Sequence, residues 1–360
     1  LGDYNGSVVV LDTKNGGVLA LVSKPDYNPN SFVNGISVKE YAELRDSIDQ
    51  PLFNRALRGH YPPGSTFKPF VALAGLELNV VTQQSRTYCP GFYSLPGNTH
   101  RYRCWKRVGH GHVDLKSAMA ESCDVYFYDL AHAIGIDRLH GFLDLFGFGH
   151  QTGVDIPGES KGLSPSREWK RSQRNQAWYP GETLISGIGQ GFNQMTPIQL
   201  AHATATLGMM GTVYTPQLVR ATKTDNDEGM QLLGVQQADS LPIQKSSHWQ
   251  SVIESMVEVV HGKRGTARHI GTDLPFQFAG KTGTAQVFGI AQDAKYDAEL
   301  LAKKLHDHAL FVAFAPAVDP EIAIAVVVEN GGSGSATAAP IARKLIDVYF
   351  GIETDEPVTQ

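Results

Sequence analysis

The sequence predicts an α+β domain in which both ends of the chain build one antiparallel sheet, with a helical subdomain inserted between them. Three observations support this fold class: strand patterns occur near the N-terminus, strand patterns return in the last quarter, and the region between them is mainly helical. We expect residues 1–360 to form a single domain. Its sheet subdomain is predicted at about 1–45 and 262–360, and its helical subdomain at about 46–261.

The first two strands are predicted to form a hairpin. Two β-branched and apolar runs, 7–12 and 17–23, flank a turn containing Asn15, Gly16 and Gly17. Three more strands are predicted from apolar runs at 276–288, 308–316 and 321–330, and a C-terminal helix is predicted at 340–350. Together they predict a five-stranded antiparallel sheet.

Helical periodicity dominates the middle of the chain. The helical segments lie at 67–78, 114–122, 125–135, 138–147, 196–208 and 248–262. A cleft between these helices and the sheet is the expected ligand site.

Composition and charge exclude several functional classes. The chain is 42% hydrophobic and 19% charged, which is typical of a globular protein. A net charge of -5 gives no reason to expect a nucleic-acid partner, and no apolar run reaches the ~18 residues of a membrane span. The sequence begins at Leu1 directly before a strand pattern, without a targeting segment, so we expect a further N-terminal part to precede it.

Ser65 and Lys68 form a candidate nucleophile and base. Pro62, Pro63 and Gly64 predict a helix start, which places Ser65 at the positive end of the helix dipole. Lys68, three positions later, shares its helix face, and a partly buried lysine can accept the proton of a serine hydroxyl. Taken alone, the pair is also compatible with Ser65 acting only as an N-cap.

Two later segments complete the pattern: Ser122 with Asp124, and the strand segment Lys281–Thr284. A hydroxyl beside a lysine can relay a proton to a leaving amine, which suits Ser122. The strand segment offers a cation and two hydroxyls, Lys281, Thr282 and Thr284, and a glycine, Gly283, that would let a substrate backbone approach. Backbone N–H groups of Ser65 and Thr284 could form an oxyanion hole.

In this order, the first motif (Ser65 to Lys68), the second (Ser122 to Asp124) and the third (Lys281 to Thr284) resemble S-x-x-K, S-x-N and K-[ST]-G-[ST] of penicillin-recognising serine enzymes. Longer stretches are similar to the transpeptidase domain of class B penicillin-binding proteins, at 8–30, 53–70, 187–211 and 280–289. Two further stretches, 95–111 and 176–191, resemble the elongation-specific subgroup, penicillin-binding protein 2 of Gram-negative bacteria.

The resemblance implies a penicillin-binding and serine β-lactamase-like fold and a peptidoglycan D,D-transpeptidase. Such an enzyme attacks the D-Ala-D-Ala bond of a donor stem peptide, passes the acyl group to an amine of an acceptor stem, and is inhibited covalently by β-lactams. It implies Ser65 as nucleophile, Lys68 as base, Ser122 as proton shuttle, and carboxylate binding by Lys281, Thr282 and Thr284.

The resemblance also implies an environment and partners. The domain would lie in the periplasm, held to the inner membrane by an N-terminal helix and pedestal that are not in this chain. Its partners would be a SEDS-family glycosyltransferase of RodA type and MreC, both through that N-terminal region.

One residue departs from the family pattern. Asp124 stands where the second motif usually has Asn, and an ionised carboxylate cannot donate a hydrogen bond to a substrate carbonyl. Asp124 could instead accept hydrogen bonds from Lys68 or Lys281 and hold them in place.

The three cysteines of the chain cluster around a histidine and predict a structural zinc site. Cys89, Cys104, His110 and Cys123 are a tetrahedral Cys3His set, although their spacing is irregular. Cys123 lies between Ser122 and Asp124, so it is expected to point away from the cleft. A Cys89–Cys104 disulfide and buried free cysteines are the alternatives, and the other possible fourth ligands are His112 and, less favoured, His100.

Two other functions share the same serine and lysine. A serine β-lactamase needs a base for the deacylating water, for which Glu168 is the only suggestion, and its surroundings do not resemble such a loop. A β-lactam sensor domain would acylate without transferring peptides. The basic stretch 101–107 is interpreted as a solvated loop, without the periodic aromatic residues of a nucleic-acid surface.

Overall fold

The computed structural model describes residues 1–224, 229–243, 245–286 and 306–352. Within these ranges no helix has the length and apolar character needed to cross a bilayer. The strands are β1 Gly6–Asp12, β2 Val18–Lys24, β3 Thr87–Cys89, β4 Phe92–Tyr93, β5 Tyr102–Arg103, β6 Gly111–Val113, β7 Ala221–Thr222, β8 Gln231–Leu232, β9 Ala279–Ala285, β10 His308–Ala315 and β11 Ile322–Val328. The helices are α1 Asn30–Val33, α2 Val38–Asp46, α3 Arg55–Arg58, α4 Lys68–Glu77, α5 Leu115–Ala120, α6 Asp124–Ile134, α7 Ile136–Asp144, α8 Arg167–Arg174, α9 Pro180–Ser186, α10 Pro197–Gly208, α11 Ser246–His261 and α12 Ala339–Tyr349.

Five strands from the two ends of the chain form one antiparallel sheet in the order β2-β1-β11-β10-β9. The α+β fold with a five-stranded antiparallel sheet is therefore confirmed. β1 and β2 form the predicted hairpin, whose turn is held by a hydrogen bond from the Gly17 amide to Asn15 Oδ1 (2.7 Å). β9 begins at Ala279, three residues later than predicted, because the Phe278 amide donates to His261 Nε2 instead of to a strand. The predicted strand end at residues 287 and 288 lies outside the described residues.

Helices cover both faces of the sheet. Gly208 in α10 lies against the ring of Phe314, whereas Val260 in α11 lies near Gly280, beside Phe311. Residues 311 and 314 point to opposite faces because side chains alternate along a strand. α12 lies on the α11 side, where Arg343 donates to the carbonyl of Ile270 (2.8 Å).

The predicted subdomain boundaries stay a prediction, and α10 shows how closely the two parts pack. It lies inside the range 46–261, yet it packs against β1, β10 and β11. α4 packs against α5, α6, α7 and α11. All of its residues except Glu77 are buried. Its aromatic neighbours pack edge to face, for example Phe70 and Phe148 with ring centroids 5.0 Å apart. The core thus fixes the residues that precede and begin α4.

Candidate active site

Ser65 lies in a 3-10 turn, Gly64–Phe67 (the Ser65 turn), that continues directly into α4. The predicted helix start is therefore a tighter turn than an α-helix, and Ser65 does not act as its N-cap. Gly64 has a φ of 53°, and a Cβ at this position would lie 2.7 Å from the carbonyl oxygen of Thr284. Ser65 is partly exposed, and its hydroxyl has no hydrogen-bond partner among the described residues. It is available to a ligand.

Lys68, the first residue of α4, is fully buried and directed at the second motif. Its Nζ donates to Asp124 Oδ1 (2.7 Å), to the carbonyl oxygen of Ser122 (2.9 Å) and to Ser122 Oγ (3.2 Å). The ring centroid of Phe127 lies 5.4 Å from the same nitrogen. In the part of the chain that is described, no hydrogen bond joins Lys68 directly to the Ser65 hydroxyl. Such contacts often tighten only when substrate is bound.

Ser122 bridges the two lysines of the site. It lies between α5 and α6 with a φ of 54°, a left-handed conformation that is costly for a residue with a side chain. Its Oγ accepts hydrogen bonds from Lys68 (3.2 Å) and from Lys281 (2.9 Å). A hydroxyl has two lone pairs and one proton. Because both lone pairs are occupied, the proton of Ser122 is free to be donated to a group in the cleft.

Asp124 has both carboxylate oxygens occupied by the protein. Oδ1 accepts from Lys68 (2.7 Å), and Oδ2 accepts from the backbone N–H of Trp105 (2.9 Å). Burial raises the pKa of Asp124, while the charge of Lys68 acts in the opposite direction. The geometry thus places Asp124 as a holder of Lys68.

Lys281 in β9 is also fully buried. Its Nζ donates to Ser122 Oγ (2.9 Å) and to the Thr282 carbonyl (3.1 Å). Burial, and then the positive charge of Lys68, lower the pKa of Lys281 well below its ordinary value. The Thr282 hydroxyl is hydrogen bonded to that of Thr266 (2.9 Å). Of the three residues predicted to hold a substrate carboxylate, Thr284 is the one with an exposed side chain.

Gly283 has a structural reason besides the one predicted. Gly283 is buried, and a Cβ there would lie 2.8 Å from Thr66 Cγ2 and 3.1 Å from Leu310 Cβ. Its missing side chain therefore lets β9 pack against the Ser65 turn, and the close approach of a substrate backbone stays a prediction.

The four predicted metal ligands lie together behind the second motif. Cys89, Cys104 and Cys123 are buried and form no disulfide with one another. Their sulfur atoms and a ring nitrogen of His110 all lie within 4.8 Å of one another. His110 Nδ1 is 3.6 Å from Cys89 Sγ and 3.5 Å from Cys104 Sγ. The alternative ligand His112 is exposed and its ring lies against Tyr88. His100 likewise packs on Tyr102, outside the cluster.

The thiols of this cluster interact with one another, and burial raises the pKa of Cys89. A hydrogen bond from Cys123, assisted by His110, lowers the pKa of Cys104 to about 3 against the effect of burial. The pKa of Cys123 is raised because it donates that hydrogen bond and is buried. Cys123 points into the cluster while its neighbours Ser122 and Asp124 contact Lys68.

Sequence reasoning missed two residues that hold the motifs in place. Trp105 uses its indole N–H to bond the carbonyls of Glu121 (3.0 Å) and Ser122 (3.1 Å). Thr266 joins the α5 end to β9, through its N–H to Ala120 (3.1 Å) and its hydroxyl to Thr282. Both act largely on backbone groups, for which a sequence carries no signal.

Glu168 and the basic stretch do not contribute to the site. Glu168 is exposed in the first turn of α8 and contacts none of the three motifs within the described ranges. Arg101 stacks on Phe92 at 4.4 Å, and Lys106 lies 3.8 Å from Glu121, as expected of a solvated loop with local acidic neighbours.

The chain is similar to proteins with this motif set over nearly its whole length. A protein of Acinetobacter baumannii named peptidoglycan D,D-transpeptidase MrdA is 45% identical over 361 residues, which cover 99% of this chain and 52% of that protein. The crystal structure of Pseudomonas aeruginosa PBP2 in complex with WCK 5153 superimposes with a TM-score of 0.87 at 50% identity, covering 98% of this chain and 75% of that one. PBP2 of Helicobacter pylori, in a complex with MreC, gives a TM-score of 0.83 at 34% identity over 97% of this chain and 61% of that one.

The chain thus spans about half the length of the curated relative it matches. The family model described as the penicillin binding protein transpeptidase domain matches residues 6–347. With the three motifs assembled in one site, the chain belongs to the penicillin-binding protein transpeptidase domain family.

Proposed function

We propose that the chain is the catalytic domain of a peptidoglycan D,D-transpeptidase that forms peptide cross-links during cell elongation and is inhibited by β-lactams. The observation that carries the proposal is the Ser122 hydroxyl, which bridges two buried lysines close to the partly exposed Ser65 turn. This arrangement can move a proton from a nucleophile to a leaving amine. The name of the Acinetobacter relative supports the same substrate class.

The proposed reaction uses each motif once. Ser65 Oγ attacks the carbonyl carbon of the penultimate D-Ala, and its proton passes to Lys68 in the neutral amine form, which thereby becomes the ammonium that pairs with Asp124. The N–H groups of Ser65 and Thr284 bind the developing oxyanion. Ser122 donates its proton to the leaving nitrogen and regains one from a neighbouring lysine, and D-Ala departs. The acceptor amine then attacks the ester, and Ser65 recovers its proton.

The remaining charged residues position this machinery. Asp124, which accepts a hydrogen bond from the Trp105 N–H, holds Lys68, and Lys281 holds Ser122. Thr284 is the proposed contact for the terminal carboxylate, since its side chain is exposed beside the Ser65 turn. We further propose a periplasmic, membrane-anchored setting, with MreC and a RodA-type SEDS glycosyltransferase as partners. The Helicobacter complex with MreC supports the first partner.

The test measures acyl transfer directly. We expect a thioester analogue of a D-alanyl donor to acylate the protein, and a D-amino acid acceptor to appear in a transfer product detected by liquid chromatography and mass spectrometry. Benzylpenicillin should give one adduct per chain that persists for about an hour or longer. Rapid return to the free mass would identify a hydrolase, and a stable adduct without any transfer product would identify a sensor.

We also propose that Cys89, Cys104, His110 and Cys123 bind one structural Zn²⁺. The four ligand atoms surround a space that suits one ion, they match the thiolate and imidazole preference of zinc, and all three cysteines are buried. The ion would supply no step of the reaction. These residues would tie β3 and the loop carrying Trp105 to the start of α6, and thereby fix the second motif.

Native mass spectrometry tests the zinc proposal. We expect one zinc per chain in the native protein and none in Cys123→Ser, whose melting temperature should fall by about 5 °C or more. A chelator should cause a similar fall in the native protein. The matched control is His112→Ala, which removes a nearby exposed histidine and should retain the metal. A metal-free native protein with a Cys89–Cys104 disulfide would contradict the proposal.

A further inference from the structure

A glycine-rich loop, residues 187–191 (the GIGQG loop), lies against the Ser65 turn. The amide of Gly64 donates to the carbonyl of Gly189 (2.8 Å). Gly189 has a φ of 70°, and a Cβ on it would overlap the carbonyl oxygen of Gly64 and lie 2.8 Å from Phe67 Cβ. The backbone of the loop is therefore packed directly on the backbone that presents Ser65.

The same loop reaches the third motif through a side chain. Gln190 Nε2 donates to the carbonyl oxygen of Thr284 (3.0 Å). A carbonyl can only accept, so the amide nitrogen of Gln190 must face Thr284. One loop therefore contacts both elements that carry the predicted oxyanion-hole donors.

This contact also fixes the direction of the Thr284 N–H. Thr284 lies opposite Ala309 in the β9–β10 pair. In an antiparallel pair, the N–H and C=O of one residue point to the same side, either both toward the partner strand or both away from it. The carbonyl of Thr284 points away, to Gln190, and so its N–H points away from β10 as well. β9 is an edge of the described sheet, and the Ser65 turn lies along that edge.

We propose that Gln190 is a positioning residue that sets the separation between the Ser65 and Thr284 N–H groups of the oxyanion hole. The inference rests on the proposed acyl-transfer function. The two donors come from separate elements, and they stabilise an oxyanion only when both are within hydrogen-bond distance of it. The hydrogen bond from Gln190 joins the Thr284 peptide to the loop that packs on the Ser65 turn. Loss of this hydrogen bond would let the edge strand β9 move relative to Ser65.

The test separates positioning from binding and from stability. Gln190→Met keeps the length of the side chain but removes the donor, and Gln190→Glu presents only acceptors to the Thr284 carbonyl when ionised. With benzylpenicillin, we expect the first-order acylation constant to fall about 10- to 100-fold in Gln190→Met and further in Gln190→Glu, with the pre-acylation dissociation constant unchanged. Affinity for a boronic acid that forms a tetrahedral adduct on Ser65 should fall in parallel, since that adduct needs the oxyanion hole.

The matched control is Gln217→Met. Gln217 also donates its amide to a backbone carbonyl, that of Gly234 (3.3 Å), but in a surface segment away from the motifs. The Gln217→Met variant should be acylated by benzylpenicillin at the native rate. A native acylation constant in Gln190→Met, or a change only in the dissociation constant, would overturn the inference. If Gln190→Met melts earlier, Gln190→Asn provides the second variant, since it keeps an amide that is too short to reach. A native protein that forms no adduct at all would instead overturn the proposed function.

Discussion

Replacing Ser65 with alanine is expected to abolish adduct formation with benzylpenicillin, with the acylation rate falling at least about 10⁴-fold. The reason is that the ester bond forms on Ser65 Oγ. The other serine of the motifs, Ser122, has both lone pairs occupied by Lys68 and Lys281 and cannot act as a nucleophile without breaking these bonds. Intact-mass spectrometry after incubation with penicillin measures the effect.

The Ser65→Ala variant should fold normally, because the hydroxyl it removes has no hydrogen-bond partner in the described chain. Its melting temperature is therefore expected to lie within about 1 °C of the native value. Ser172→Ala is a suitable control, since Ser172 is an exposed serine in α8. An adduct of the same mass on both Ser65→Ala and the native protein would refute the assignment.

The sheet and the three motifs could be predicted because they depend on patterns that are local in the sequence. Strands β1, β2, β10 and β11 are nearly continuous apolar runs, and their pairing follows from an antiparallel sheet built by the chain ends. The motifs are short and ordered. Lys281 and Ser122 are 159 residues apart, yet the structure joins them at 2.9 Å, as the motif order implied.

Two of the helices that sequence patterns missed, α2 and α8, have no apolar periodicity. α2 buries none of its residues and α8 buries only Lys170, so neither has the stripe that marks a helix facing a core. Trp105, Thr266 and Gln190 act on backbone carbonyls or hydroxyls far away in sequence. Gly283 was predicted to let a substrate backbone approach, but its packing against Thr66 depends on tertiary structure alone.

The Lys68→Met variant is expected to lose both activity and stability. Acylation should fall about 10³-fold because Ser65 loses the proposed base. The free energy of unfolding should fall by about 3–5 kcal/mol, because among the described residues the buried carboxylate of Asp124 keeps only the Trp105 N–H as a hydrogen-bond partner. Penicillin acylation kinetics and urea denaturation measure the two effects separately.

A double variant distinguishes the two roles of Lys68. In Lys68→Met with Asp124→Asn, the carboxylate that Lys68→Met leaves buried and unpaired is removed as well, so most of the lost stability should return. Acylation should not return, since neither substitution supplies a base. If the double variant is as unstable as Lys68→Met, the ion pair is not the reason for the instability. If it acylates at a rate near that of the native protein, Lys68 is not the base. The pair would then serve only to hold the second motif, and the proton of Ser65 would have to leave through Ser122 to Lys281, whose lowered pKa would permit it.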